Sequence, residues 1–241
     1  MTLFERYDRL RDKDSERAWR EVFFEIGHSM GFEKTLLAIV PRPGMKLDQA
    51  FLCSNYDQRW RADYDKQGLA YIDPTVSHCL TQNVPLIWSP NIFRTTAQKQ
   101  MYEEACGYGL RSGVTLPIHG AKGELGILCF VNDSKPGKQF QRDLAFKLPG
   151  ISLLRDIAFD TVLPFVVSDP GSKPTPVLTH REIECLKWVA IGKTSWEISG
   201  ILKCTAATVN FHMTNIRRKF EVGSRHEAVI MALRHGLIDL P

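Results

Sequence analysis

The chain has 241 residues, 44% hydrophobic and 24% charged, which suffices for one domain of about 160 residues with its own core and a smaller one of about 65. No apolar run approaches the ~20 residues that a bilayer crossing needs, and the charged start Phe4-Glu5-Arg6-Tyr7-Asp8-Arg9 is unlike a signal peptide, so a cytoplasmic protein is expected. A formal net charge of +4 argues against a general polybasic field, and six cysteines with neither a Cys-x-x-Cys pair nor zinc spacing read as reduced, mostly buried side chains.

Taken along the chain, Ser15 or Asp14 can cap a helix whose Trp19, Val22, Phe23, Ile26 and Met30 form one apolar stripe, with Gly31 as its stop. Strand-like runs follow at Thr35-Val40, Phe51-Ser54, Val114-Ile118 and Leu125-Val131, the last two joined as a hairpin through His119-Gly120-Ala121-Lys122-Gly123. A long helix from about Gln139 to Thr161, with Pro149-Gly150 as a place to kink, closes this part. An antiparallel sheet between helical layers is expected, a shape that can enclose a small ligand. Four prolines between Pro164 and Pro176 then favour an extended connector. The expected organisation is a first domain over 1–165, a linker over 166–176 and a second domain over 177–241.

From Thr179 to Ile238 the pattern reads as four short helices. Three open with a Ser/Thr-x-x-Glu capping box: Thr179 with Glu182, Thr194 with Glu197, and Ser224 with Glu227. The third helix starts at Thr205 after only Lys203-Cys204, which is helix-turn-helix spacing. Its Val209, Met213, Ile216 and Phe220 can bury against Ile183, Leu186, Val189, Ile198, Ile201 and Leu202. Asn210, Phe211, Thr214, Arg217 and Arg218 fall on the other side, the residue types that read base edges and hold phosphates; the plain alternative is a solvated polar face. From Val177 onward there are nine Lys/Arg against six Asp/Glu, a modest excess that points to paired DNA-reading domains rather than a basic field.

Here the chain resembles a family. Leu178-Thr179-His180-Arg181-Glu182, Gly192-Lys193-Thr194, Glu197-Ile198, Thr208-Val209-Asn210-Phe211-His212 and Asn215-Ile216-Arg217-Arg218-Lys219 are similar to the DNA-binding domain of LuxR-type regulators. Asn55-Tyr56, Trp60-Arg61, Tyr64, Asp73-Pro74, Trp88, Gly109-Leu110 and Gly113 resemble the acyl-homoserine-lactone pocket of LuxR-type quorum-sensing receptors. Asp73 to Cys79 and Gly192 to Ser199 are most similar to the LasR subgroup. The resemblance implies an α+β chain: an N-terminal α/β/α sandwich whose antiparallel sheet encloses a ligand pocket, then a four-helix helix-turn-helix domain.

The resemblance also implies roles. Trp60 would donate to the lactone carbonyl, Asp73 would accept from the amide N–H, and Tyr56 would donate to the amide carbonyl. Thr75 would support Asp73, Arg61 would approach a 3-oxo group, and Trp88, Phe93, Tyr102, Ala105 and Leu110 would wall the lactone, with Tyr64 and Thr115 in the same set. Leu36, Ala38, Val40, Ala50, Leu52, Val76, Cys79, Leu125, Gly126 and Ile127 would form the acyl sleeve. Cys129 stands where LasR-like receptors have a serine, and its thiol is the weaker donor. For DNA the implied set is Lys193, Thr194, Thr205, Thr208, Asn210, Phe211, Thr214, Arg217 and Arg218. The implied function is a transcription factor, expected to be an activator, that binds a lactone and, as a homodimer, a two-fold symmetric promoter, with RNA polymerase as a further partner and with no cofactor or membrane.

Each residue has an ordinary reading beside this one. Asp73 before Pro74 is a good helix N-cap, the tryptophans suit a core, and Tyr56 can satisfy its hydroxyl on a backbone carbonyl. His78 and Cys79 are adjacent in a helix and point roughly 100° apart, which disfavours a nucleophile with its base. A regulator answering a different small molecule, a phosphorylation-driven regulator and a lactone-cleaving enzyme stay open as alternatives.

Overall fold

The computed structural model describes residues 3–41, 45–167 and 176–238. The chain divides into two compact units, Met1–Asp169 and Pro170–Pro241. The first holds α1 (Leu3–Asp8), α2 (Glu16–Ser29), β1 (Lys34–Val40), β2 (Phe51–Ser54), α3 (Gln58–Lys66), α4 (Pro74–Thr81), β3 (Leu86–Ile87), α5 (Thr96–Gly107), β4 (Ser112–His119), β5 (Leu125–Asn132) and α6 (Lys138–Val167). The second holds α7 (His180–Ala190), α8 (Ser195–Leu202), α9 (Ala206–Phe220) and α10 (Arg225–Arg234).

In the first unit the five strands pair antiparallel in the order β2-β1-β5-β4-β3. Side chains alternate between the two faces of a strand, and here each face has its own apolar cluster. Leu37, Ile39, Val114, Leu116, Leu128 and Phe130 pack on one side with α1, α2 and α6. Leu36, Ala38, Leu52, Ile127 and Cys129 face the other, with residues of α3 and α5. Ser15 caps α2 by accepting from Ala18 N, and Gly31 takes φ 81° just past its end. Gly27 lets α2 approach β1: a Cβ there would stand 2.6 Å from Thr35 Oγ1. Trp19 is fully buried and donates its indole N–H to Thr161 Oγ1 at 2.9 Å, which ties α2 to α6.

Two expectations need correction here. The closing helix does not stop near Thr161; α6 continues to Val167 with Pro164 inside it. A helical proline forfeits one backbone hydrogen bond, and the burial of Val162 and Val166 in the main core offsets that loss. The expected linker 166–176 therefore begins inside helix, and its residues 168–175 lie outside those described. The short β3 was also not foreseen, because a two-residue strand carries no readable period.

The second unit buries Leu186, Val189, Ile198, Val209, Met213, Ile216 and Phe220 in one cluster with residues of α10. Thr179 with Glu182 and Thr194 with Glu197 form complete capping boxes. The third box is incomplete: Glu227 N donates to Ser224 Oγ, but the Glu227 carboxylate accepts from Gly223 N instead of Ser224 N. Ile201, expected in the core, is 42% exposed. It stands about 60° around α8 from the buried Ile198, at the edge of the inward stripe, where the neighbouring helices no longer cover it.

Candidate functional site

Between the sheet and α3, α4 and α5 lies a cavity of about 380 Å³, within the range of pockets that enclose a small molecule. Its polar groups gather at one end. Asp73 caps α4, taking the Thr75 N–H at 2.7 Å and the Thr75 hydroxyl at 2.8 Å on Oδ1, while Oδ2 accepts from the Tyr64 hydroxyl at 2.9 Å. The capping and pocket readings of Asp73 are thus geometrically compatible, because a carboxylate oxygen has two lone pairs and Oδ2 keeps room for another donor. Burial pushes the Asp73 carboxyl above the usual carboxylate range, against the hydrogen bonds from Thr75 and Tyr64.

Two buried polar atoms in this end lack a partner in good hydrogen-bond geometry, Arg61 Nε and the Tyr56 hydroxyl, which has only the weakly accepting Cys129 thiol close by. The Tyr56 hydroxyl sits near the Cys129 thiol and Asp73, and burial drives its pKa well up. Arg61 lies over the Tyr64 ring at 4.8 Å and pairs through one terminal nitrogen with Asp65. Buried polar atoms in proteins are nearly always satisfied, so two orphans facing one cavity mark a place where a ligand supplies the missing partners. Above them Trp88 donates to Thr115 Oγ1 at 2.8 Å, and Thr115 lies 3.3 Å from Cys129 Sγ. Burial pushes the Cys129 thiol up to about 12. Phe93 and Tyr102 stack at 4.3 Å, and the Tyr102 hydroxyl is spent on Arg111 O.

The other end is apolar. Leu36, Ala38 and Val40 of β1 pair in register with Cys129, Ile127 and Leu125 of β5, and Ala50, Leu52, Val76 and Cys79 complete the lining. Gly126 contributes backbone only, since a Cβ there would meet Ala38 O at 2.7 Å. His78 is engaged with Val84 O at 2.8 Å, not with the Cys79 thiol, so the pair has no nucleophile–base geometry.

The pocket brings together Tyr56, Trp60, Arg61, Tyr64, Asp73, Thr75, Trp88, Phe93, Tyr102, Ala105, Leu110 and Cys129 at its polar end and the ten expected sleeve residues beyond. Thr115 is the exception: it does not line the cavity but lies fully buried behind it, holding Trp88 and Cys129. Its side chain is spent on those two contacts, which direct access to a ligand would break. Sequence reasoning missed Leu47, Asp48, Asp65, Gly68, Ala70, Tyr71, Leu80 and Met101. Asp65 was readable as the i+4 partner of Arg61; Met101 is a buried residue in the middle of α5, and the others come from turns and helix ends, and which way each of them faces depends on packing.

In the second unit Lys203 takes a left-handed turn at φ 52° and Thr205 caps α9 through Thr208 N. Val209, Met213, Ile216 and Phe220 face inward, while Asn210, Phe211, Thr214 and Arg218 are exposed and Thr208 and Arg217 half-buried. Ser195 Oγ donates to Asn210 Oδ1 at 2.7 Å, which engages the amide oxygen and leaves the NH2 group as the donor on the exposed face. Arg217 reaches Gly223 O and Thr214, and Arg218 reaches Asn215. Lys193 pairs with Glu197, and Thr194 and Thr205 are capping hydroxyls. Glu197 is held down to about 2, first by the Thr194 N–H and then by Lys193.

The autoinducer binding domain family matches residues 15–162, and the family of bacterial regulatory proteins of the luxR type matches residues 176–232. The transcriptional activator VanR of Vibrio anguillarum is 30% identical over 89% of this chain and 88% of its own length. The transcriptional activator LuxR of Aliivibrio fischeri is 31% identical over 97% of this chain and 93% of its own. Among solved structures, SdiA in complex with octanoyl-rac-glycerol superposes with a TM-score of 0.78 at 24% identity, covering 98% of this chain and 94% of that one, a likeness of fold. These relatives do not single out the LasR subgroup. The two family matches, together with the relatives, give the conclusion: the chain belongs to the LuxR family, a quorum-sensing transcriptional regulator with an autoinducer-binding domain ahead of a DNA-binding one, and not an enzyme.

Proposed function

We propose that the autoinducer is an acyl-homoserine lactone and that its binding turns on transcription from a two-fold symmetric promoter site. The observation that carries this is the unpaired Tyr56 hydroxyl, buried beside Cys129 and Asp73 at the polar end of an otherwise apolar cavity. A secondary amide presents a carbonyl acceptor to Tyr56 and an N–H donor to Asp73 Oδ2. The lactone carbonyl then meets Trp60, and Trp88, Phe93, Tyr102, Ala105 and Leu110 enclose the ring. The acyl tail runs down the apolar end, and Arg61 Nε is left for an oxygen near the amide.

In the second unit, Asn210, Phe211 and Thr214 meet base edges, and Lys193, Thr194, Thr205, Thr208, Arg217 and Arg218 stand over the flanking phosphates. One helix-turn-helix with a modest charge excess contacts a single half-site, so a homodimer supplies the second and matches a palindromic operator. The working compartment is the cytoplasm, where the DNA is. RNA polymerase is the partner through which an activator acts.

The test is ligand-linked stability of the full chain. A lactone at a hundred times its Kd adds about 2.7 kcal/mol, a rise of roughly 5 to 10 °C for a domain of this size. Mass spectrometry of protein purified from lactone-supplemented cells should recover the same compound. Equal melting temperatures with and without every lactone, alongside a shift with octanoyl-rac-glycerol, would replace the lactone with another acylated ligand.

A further inference from the structure

The apolar end of the pocket is built as a ladder of three rungs. β1 and β5 pair so that Leu36 faces Cys129, Ala38 faces Ile127 and Val40 faces Leu125, and all six line the cavity. The first rung carries the polar chemistry: Cys129 lies beside Tyr56 and Asp73, where the amide of the proposed ligand sits. The second and third rungs are hydrocarbon, with Leu52 paired across Ala38. Past the third rung the character changes. The exposed Asp48 borders the cavity, while the exposed His119, the β4 partner of Leu125, stands beside the third rung outside the lining with its ring on Cys79 O at 2.7 Å.

A tail that starts at the first rung and lies along the strands therefore has a fixed run of apolar wall. Antiparallel strands rise ~3.4 Å per residue, so the four steps from Leu36 to Val40 span ~13.5 Å. A hydrocarbon with ~1.52 Å bonds at tetrahedral angles advances ~1.25 Å per carbon when extended. Resting on the lactone reading above, we infer that these rungs gauge the acyl chain and that the preferred ligand carries an unbranched chain of about ten to twelve carbons. Shorter chains leave the Val40–Leu125 rung unfilled, and longer ones carry methylenes past it toward the exposed Asp48, where they gain less. Ala38 keeps the channel open: it is the smaller side chain on the second rung, and enlarging it blocks the way to the third.

The experiment is a panel of unsubstituted lactones with even chains from four to fourteen carbons, titrated against the full-length protein by thermal shift and by competitive displacement. Affinity should rise roughly fourfold per methylene until the third rung is filled, then level off or fall beyond twelve carbons. Ala38→Leu should lower affinity for the twelve-carbon lactone at least tenfold while changing that for the four-carbon one, which stops short of the second rung, by less than threefold. An optimum at eight carbons or fewer in the wild-type protein overturns the gauge and leaves the lactone reading standing. Failure of every chain length to bind overturns the lactone reading itself. If Ala38→Leu does not fold, the wild-type panel decides alone, since the position of the optimum needs no variant.

Discussion

Tyr56 shows how a ligand site can be recognised by what the free protein lacks. Its hydroxyl is buried with no well-formed hydrogen bond, only the Cys129 thiol beside it, and a buried polar group left unsatisfied costs up to about 1 to 3 kcal/mol. Removing it should therefore have opposite effects on folding and on binding. Tyr56→Phe is expected to raise the melting temperature of the ligand-free protein, because the orphan disappears, and to weaken lactone binding about tenfold, because the amide carbonyl loses a donor. Thermal denaturation with and without ligand checks both signs at once. A ligand-free protein that melts lower would mean that the hydroxyl has a partner in solution. Cys129 fits the same picture, since its thiol, packed against Thr115, is a poor substitute for that donor.

Among the helices, α9 divides its labour by face and by position. Its inner stripe is locked by Ile198 and Leu186 of the neighbouring helices, so the outer groups are presented on a rigid element. Asn210 is oriented by Ser195, as a base-reading amide requires, while Arg218 lies exposed in the last turn with only a 3.4 Å contact to Asn215. Asn210→Ala should cost about 1 to 3 kcal/mol on the cognate duplex and relax preference at the bases it meets, with little effect on scrambled DNA. Arg218→Ala should weaken both duplexes and reduce the salt slope by about one. Fluorescence titrations at two salt concentrations separate these outcomes; equal losses on both duplexes for Asn210→Ala would reverse the orientation of α9 in the groove.

The two units have separate cores, and calorimetry of the full chain should resolve two transitions of which ligand raises one. The other should respond to acid. Glu182 is almost fully buried in the second unit and accepts from Lys219 and from Thr179 N. Burial works against its charge, yet Lys219 and the Thr179 cap hold its pKa below the ordinary value. A carboxyl lowered in the folded state contributes stability that is complete above its unfolded value of about 4.3 and is lost as pH falls through the folded value. The ligand-independent transition should therefore drop on acidification below about pH 4.5, and Glu182→Gln should lower it at pH 7 while flattening its pH dependence. An unchanged pH profile in that variant would place the acid sensitivity elsewhere.

The helix starts, the inward stripe of α9 and the alternation on β1 and β5 were legible in the chain because each rests on local chemistry. A Thr-x-x-Glu box closes within one turn, and a two-residue period needs only neighbours. The polar and apolar sides of the pocket were assigned residue by residue through the family resemblance instead, because no local pattern shows which residues line a cavity. Packing decided the rest. Thr115 sits behind the pocket wall because Trp88 and Cys129 meet it across the sheet. α6 runs through Pro164 because Val162 and Val166 find a core. Glu227 turns to Gly223 although its box sequence matches the other two. The length of the apolar sleeve follows from strand register, which comes from pairing partners about ninety residues apart, and no window of the chain contains both.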